Sequence, residues 1–108
     1  MNRNLTILNK IIVEAETVAK ILKGLDDVSF LSNDEKMRAV CMTLINIGEL
    51  IKNLDDNFRE VNKQIPWRQM AGFRDIAAHG YFTLRMEDVW KYASIELPTF
   101  LVDIKDIR

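Results

Sequence analysis

The chain has 108 residues, 15 Lys and Arg against 16 Asp and Glu, and a formal net charge of −1. That length suits one domain, 1–108, with a single core that gains from a partner, and 48% hydrophobic beside 29% charged residues excludes a disordered chain. The near-balanced charge gives no whole-molecule reason to bind DNA, RNA or a membrane, so a polyanion site must be a local basic patch.

Residues 4–25, "NLTILNKIIVEAETVAKILKGL", read as a first helix. Leu5, Leu8, Ile11, Ile12, Ala15, Val18, Ala19, Leu22 and Leu25 recur at helical spacing. Ile7, Val13 and Ile21 widen the band, which suits packing on two sides, inside a bundle or against a second subunit. Gly24 and "DDVS" end the helix. In "SNDE", Ser32 stands three residues before Glu35, the reciprocal capping-box pattern, and predicts the start of a second helix. Its stripe runs Met37, Val40, Cys41, Leu44, Ile45, Gly48, Ile51 and Leu54. Gly48 costs roughly 1 kcal/mol against alanine there, and its expected use is close approach of another helix. Cys41, the one cysteine, excludes an intrachain disulfide and reads as a small buried hydrophobe. Glu49 falls off the stripe, on solvated surface or at an interface.

"DDNFREVNKQ" reads as a polar connection, and "IPW" opens a third helix with Pro66 in its first turn. That helix is expected to end at Gly80, in the left-handed position past a C-terminus. A final helix starts near Met86 and runs through Val89, Trp90, Ala93 and Leu97, and Pro98 must kink or restart it. No segment alternates with period two. The expected fold is all-α, an up-and-down bundle of four to five helices. With no leader pattern and no apolar run of spanning length, the expected location is cytoplasmic.

On a wheel of about 100° per residue over 66–79, Trp67, Met70, Ala71 and Ala78 form one stripe with Arg74 in its middle. A buried, unpaired guanidinium is costly and cannot escape by deprotonation. Arg74 must therefore meet a carboxylate such as Asp75 or Glu49, a carbonyl, an anionic ligand or the edge of a cleft. Ala71, Gly72, Ala77 and Ala78 are small and allow close approach. His79, the only histidine, falls at the helix C-terminus, where the dipole favours its charged form, and Tyr81 follows Gly80. The three polar groups can line one groove, and a structural role for Arg74 and His79 stays open on spacing alone.

"RDIAAHGY" matches the R-x4-H-x-Y signature of the HEPN superfamily through Arg74, His79 and Tyr81. With "INIGEL" before it, "IPWRQMAGFRDIAAHGYF" around it and "MEDVWKYASIELPTF" after it, nearly the whole chain resembles the small HepT-like toxins of the HEPN/MNT (type VII) toxin–antitoxin systems. The resemblance implies an all-helical homodimer and a metal-independent endoribonuclease with its cleft at the two-fold interface. It also implies an MNT-type nucleotidyltransferase antitoxin that transfers AMP to the motif tyrosine. Carried over by position, Arg74 and His79 are catalytic, Tyr81 is the AMPylated or substrate-contacting residue, and Asp75 fills a supporting polar slot. Two departures stand out. Gly80 lacks the polar side chain of many relatives, and Arg85 stands where a short N-cap residue is expected.

The chemistry is coherent. Metal-free RNA cleavage needs a base at the 2′-hydroxyl, an acid at the leaving oxygen and positive charge on the phosphorane. Histidine and arginine supply these, and a two-fold dimer doubles the single imidazole. One histidine and one cysteine give no metal-ligand spacing, and no glycine-rich phosphate loop is present, so no metal or cofactor is expected. Arg59, Lys63, Arg68 and Arg74 outnumber Glu60 and Asp75 around the motif, a local basis for RNA attraction. Trp67 reads as core, and Trp90, Tyr92 and Phe100 as core or interface. Two other readings remain: a catalytically silent HEPN module that binds a nucleotidyltransferase, and a helical dimer with a structural Arg–His cluster.

Overall fold

The computed structural model describes residues 2–72 and 84–108, and every regular element among them is helical, as the hydrophobic periodicity predicts. Helix α1 spans Arg3–Leu22, capped by Asn2, whose side chain accepts from the Asn4 and Leu5 amides. It buries Leu8, Ile11, Ile12, Ala15, Val18 and Leu22. The band is narrower than expected: Ala19 points outward and Leu5 and Val13 are 37% and 59% exposed. Gly24 takes φ +82°, a left-handed conformation that a side chain disfavours, and reverses the chain.

The helix ends before "DDVS", as expected, and those residues also open another. The Asp26 carboxylate accepts from the Ser29 amide at 2.8 Å while the Ser29 hydroxyl accepts from the Asp26 amide at 2.9 Å. That capping box starts α2, Asp27–Leu31. Ser32 is then used at the end of α2, its hydroxyl donating to the Val28 carbonyl at 3.0 Å. The expected Ser32–Glu35 box is therefore not formed. Asn33 caps α3 (Asp34–Lys52), its side chain accepting from the Lys36 amide at 3.0 Å. The local rule for helix starts was right in kind and one residue off in place, because several small polar residues in a row all satisfy it.

Helix α3 buries Val40, Cys41, Leu44, Gly48 and Ile51 along the expected stripe, with Ile47 beside them, and its contact with α1 is the most extensive among the described elements. Phe30 of α2 is fully buried and tilts against Trp90, ring centroids 5.3 Å apart. Fully burying one such side chain contributes roughly 1.5–3 kcal/mol, so this core rather than helix propensity holds the assembly.

The expected polar connection over 55–64 contains a helix, α4, Asp56–Val61. Its apolar signal is the half-buried Phe58, which packs on Trp67 with centroids 6.3 Å apart. Asp55, just before it, accepts from Arg3 at 3.2 Å and Asn4 at 3.1 Å, tying the loop to the start of α1. Pro66 then precedes the short α5, Trp67–Met70. Helix α6, Met86–Lys91, begins where expected, with Arg85 at its N-cap position making no side-chain cap bond.

The disturbance expected at Pro98 is a π-helical turn, Tyr92–Glu96, in which the Leu97 amide bonds back to the Tyr92 carbonyl five residues earlier. A widened turn just before the proline accommodates its ring and its missing N–H. Helix α7, Leu97–Ile107, follows with Pro98 in its first turn and packs on α1. No helix among the described residues is long and apolar enough to cross a membrane.

Candidate functional site

The four residues that the sequence nominates, Arg74, Asp75, His79 and Tyr81, lie outside the described residues, as does the helix end expected at Gly80. Their flanks are described. On the N-terminal side, α5 ends at Met70, and the chain turns at Ala71 and Gly72, with the Gly72 amide bonding the Gln69 carbonyl at 3.1 Å. A Cβ on Gly72 would stand 3.0 Å from that carbonyl, so glycine suits the tight turn. The wheel drawn over 66–79 assumes one unbroken helix from Pro66, and this turn interrupts it. Where Arg74 stands relative to the stripe of Trp67 and Met70 lies outside the described residues.

The flanks are joined. The Tyr92 hydroxyl, in the π turn, donates to the Met70 carbonyl at 2.6 Å across 22 residues of sequence. Tyr92 is 4% exposed, and burial pushes its phenol well above the ordinary range, so it serves as a neutral donor. Its ring also packs on Phe100, centroids 6.1 Å apart. Sequence reading placed Tyr92 in the core or an interface; nothing local signals its bond to α5.

Two concavities meet at Gly72. The larger, about 850 Å³, runs between α4 and α5 and is lined by Asp56, Arg59, Glu60, Lys63, Trp67 and Arg68 among others. Trp67 is buried, with its indole N–H donating to the Asn62 carbonyl at 3.2 Å, which fixes the floor. Arg59 forms an ion pair with Asp56 and reaches the Ile51 carbonyl at 3.4 Å. Lys63 and Glu60 pair at 3.8 Å. Arg68 is exposed and has no ion-pair partner among the described residues. The smaller concavity, about 310 Å³, lies between Gln69 and Gly72 on one side and Asp88, Lys91, Tyr92 and Glu96 on the other. Arg59, Lys63 and Arg68, read from sequence as a basic patch, thus share one cleft that leads to the last described residue before the motif.

A third groove, about 670 Å³, lies between α1 and α3 and includes Val13, Leu50 and the exposed Glu49. It shares no lining residue with the cleft at Gly72. Cys41 is buried inside the core and its thiol is pushed up to about 11 by desolvation, which makes it an inert packing group. Among the described residues no group of His, Cys, Asp and Glu side chains has the arrangement to hold a metal ion.

Comparison with known proteins adds a second line. The model of the family described as "Ribonuclease HepT-like" matches residues 11–107. "Putative RNase TTE0752" of Caldanaerobacter subterraneus subsp. tengcongensis is 33% identical over 100 residues, covering 93% of this chain and 89% of its own length. "Probable ribonuclease HepT" of Thermococcus cleftensis is 33% identical over 79 residues, covering 73% of this chain and 72% of its own. A further RNase-named protein, MJ0127 of Methanocaldococcus jannaschii, is 32% identical over 95 residues, 85% of this chain and 78% of its own. No solved structure matches the chain.

Proposed function

The chain belongs to the HepT-like ribonuclease family of the HEPN superfamily, and from that premise we propose that it is a metal-independent endoribonuclease, the toxin of a toxin–antitoxin pair. One observation carries the reading: the matched span, 11–107, contains Arg74, His79 and Tyr81 in the R-x4-H-x-Y order. Residues 1–108 form one HEPN domain, and two copies form the active unit.

In the proposed reaction a ribose 2′-oxygen attacks the adjacent phosphorus, forming a new P–O bond as the P–O5′ bond breaks. His79 of one protomer takes the 2′-hydroxyl proton, and the partner's His79 delivers a proton to the departing O5′. Arg74 faces the equatorial oxygens, where its planar fork stabilises charge that grows in the transition state. Asp75 supports the arginine. The products are a 2′,3′-cyclic phosphate and a 5′-hydroxyl. No step calls for a metal ion.

Control comes from a nucleotidyltransferase antitoxin that transfers AMP to the Tyr81 hydroxyl. The added phosphate and bulk beside Arg74 repel and exclude RNA. Modified protein keeps its fold and loses cleavage.

The test is cleavage of end-labelled total RNA by the purified chain in excess EDTA, with His79→Ala alongside. Cleavage by the unchanged chain alone, ending in cyclic phosphates, is the expected result. No cleavage by a folded, unmodified dimer would overturn the enzyme reading in favour of a silent module that binds the nucleotidyltransferase.

A further inference from the structure

We propose that the cleft between α4 and α5 is a track for the RNA backbone, with Arg68 its principal phosphate contact, outside the R-x4-H-x-Y motif. The inference rests on the ribonuclease reading and adds a substrate-binding residue to it. Three observations carry it. The cleft holds three cations, Arg59, Lys63 and Arg68, against two carboxylates, Asp56 and Glu60, in a chain whose formal net charge is −1. Two of the cations are engaged by nearby carboxylates, Arg59 of α4 by Asp56 and Lys63, just past that helix, by Glu60. Arg68, across the cleft on α5, is exposed and has no ion-pair partner among the described residues.

The excess positive charge of the cleft therefore resides on Arg68. A guanidinium on an exposed helix surface loses little by staying hydrated, and it can meet a phosphate through two parallel N–H···O bonds. Trp67, next to it, is anchored through its indole N–H to Asn62 and keeps the floor rigid. Gly72, four residues on, lines the same cleft and immediately precedes in sequence the segment that carries the motif. The occupant is single-stranded RNA, the substrate of the proposed reaction, whose phosphate an exposed, unpaired guanidinium suits. The aromatic floor of the cleft is buried, so the contact reads backbone rather than base.

The test measures binding of a fluorescein-labelled oligouridylate to the full-length His79→Ala chain in EDTA, across a series of salt concentrations. In that background Arg68→Gln should weaken binding and flatten the plot of log affinity against log salt by about 0.7, the share of one single-strand phosphate contact. Arg68→Lys should keep the slope, because it keeps the charge. Lys20→Gln, an equal charge change on α1 outside the cleft, is the control. If Arg68→Gln matches that control in slope and affinity, the track is overturned. Cleavage by the chain with His79 intact is read in parallel. A chain that cleaves but shows no Arg68 effect refutes the track alone. A chain that loses slope with Arg68→Gln yet never cleaves keeps the track and refutes the ribonuclease reading.

Discussion

Changing Tyr92 to phenylalanine removes one oxygen and leaves the ring packed on Phe100. The 2.6 Å bond to the Met70 carbonyl is lost. A neutral hydrogen bond contributes about 0.5–1.5 kcal/mol net, but a buried acceptor left without a donor costs about 1–3 kcal/mol. Met70 is 2% exposed and ends a four-residue helix, which places the change in the upper range. For 108 residues the unfolding entropy gives roughly 4 °C per kcal/mol, so the thermal midpoint should fall by roughly 4–13 °C. The assay is thermal unfolding followed by circular dichroism at matched protein concentration, since any self-association makes the midpoint depend on it. The same bond joins the elements on either side of residues 73–83, so RNA cleavage should slow with little change in KM. A midpoint within about 2 °C of the unchanged chain would refute the reasoning and mean that water replaces the hydroxyl at Met70.

Asn33→Ala should destabilise by about 1 kcal/mol, the usual cost of losing an N-cap, and Ser32→Ala by less; thermal midpoints that order the two the other way would restore the Ser32 capping box. The Cys41 thiol, pushed up to about 11 by burial, should resist a disulfide-exchange reagent at pH 8 until the chain is unfolded, and rapid stoichiometric labelling of native protein would contradict that placement. The same shift sets a pH dependence. Above the unfolded thiol's ordinary value near 8.5, the unfolded chain sheds a proton that the native chain keeps. Cys41's contribution is therefore fully present below that value and is lost as pH rises toward about 11. Denaturant titrations with Cys41→Ala as reference check the sign.

Much of the molecule could be read in one dimension. The spacing of Leu8, Ile11, Ala15, Val18 and Leu22 placed the buried face of α1, and the stripe from Val40 to Ile51 placed that of α3, because a 3.6-residue period is a local property. The start at Met86 and the disturbance before Pro98 were legible for the same reason: backbone restrictions act within a turn or two. Places where several local solutions competed were less legible. Asp26, Ser29, Ser32 and Asn33 are all capable caps, and the burial of Phe30 favours the arrangement in which Asp26 and Asn33 are used. The helix at Asp56–Val61 was hidden by its polar composition, since only Phe58 advertises a packed side.

By itself, the sequence determined the all-helical class, the faces that the long helices bury, and the order of Arg74, His79 and Tyr81 that marks the HepT-like family. Each of these is a pattern of residue types at short separation. Only the tertiary structure decided that α5 stops at Met70, that Tyr92 reaches that carbonyl from 22 residues away, and that Arg68 faces Arg59 and Lys63 across one cleft. Those relations join residues distant in the chain or separated by a turn, and they arise when packing chooses among conformations that local preference leaves nearly equal in free energy.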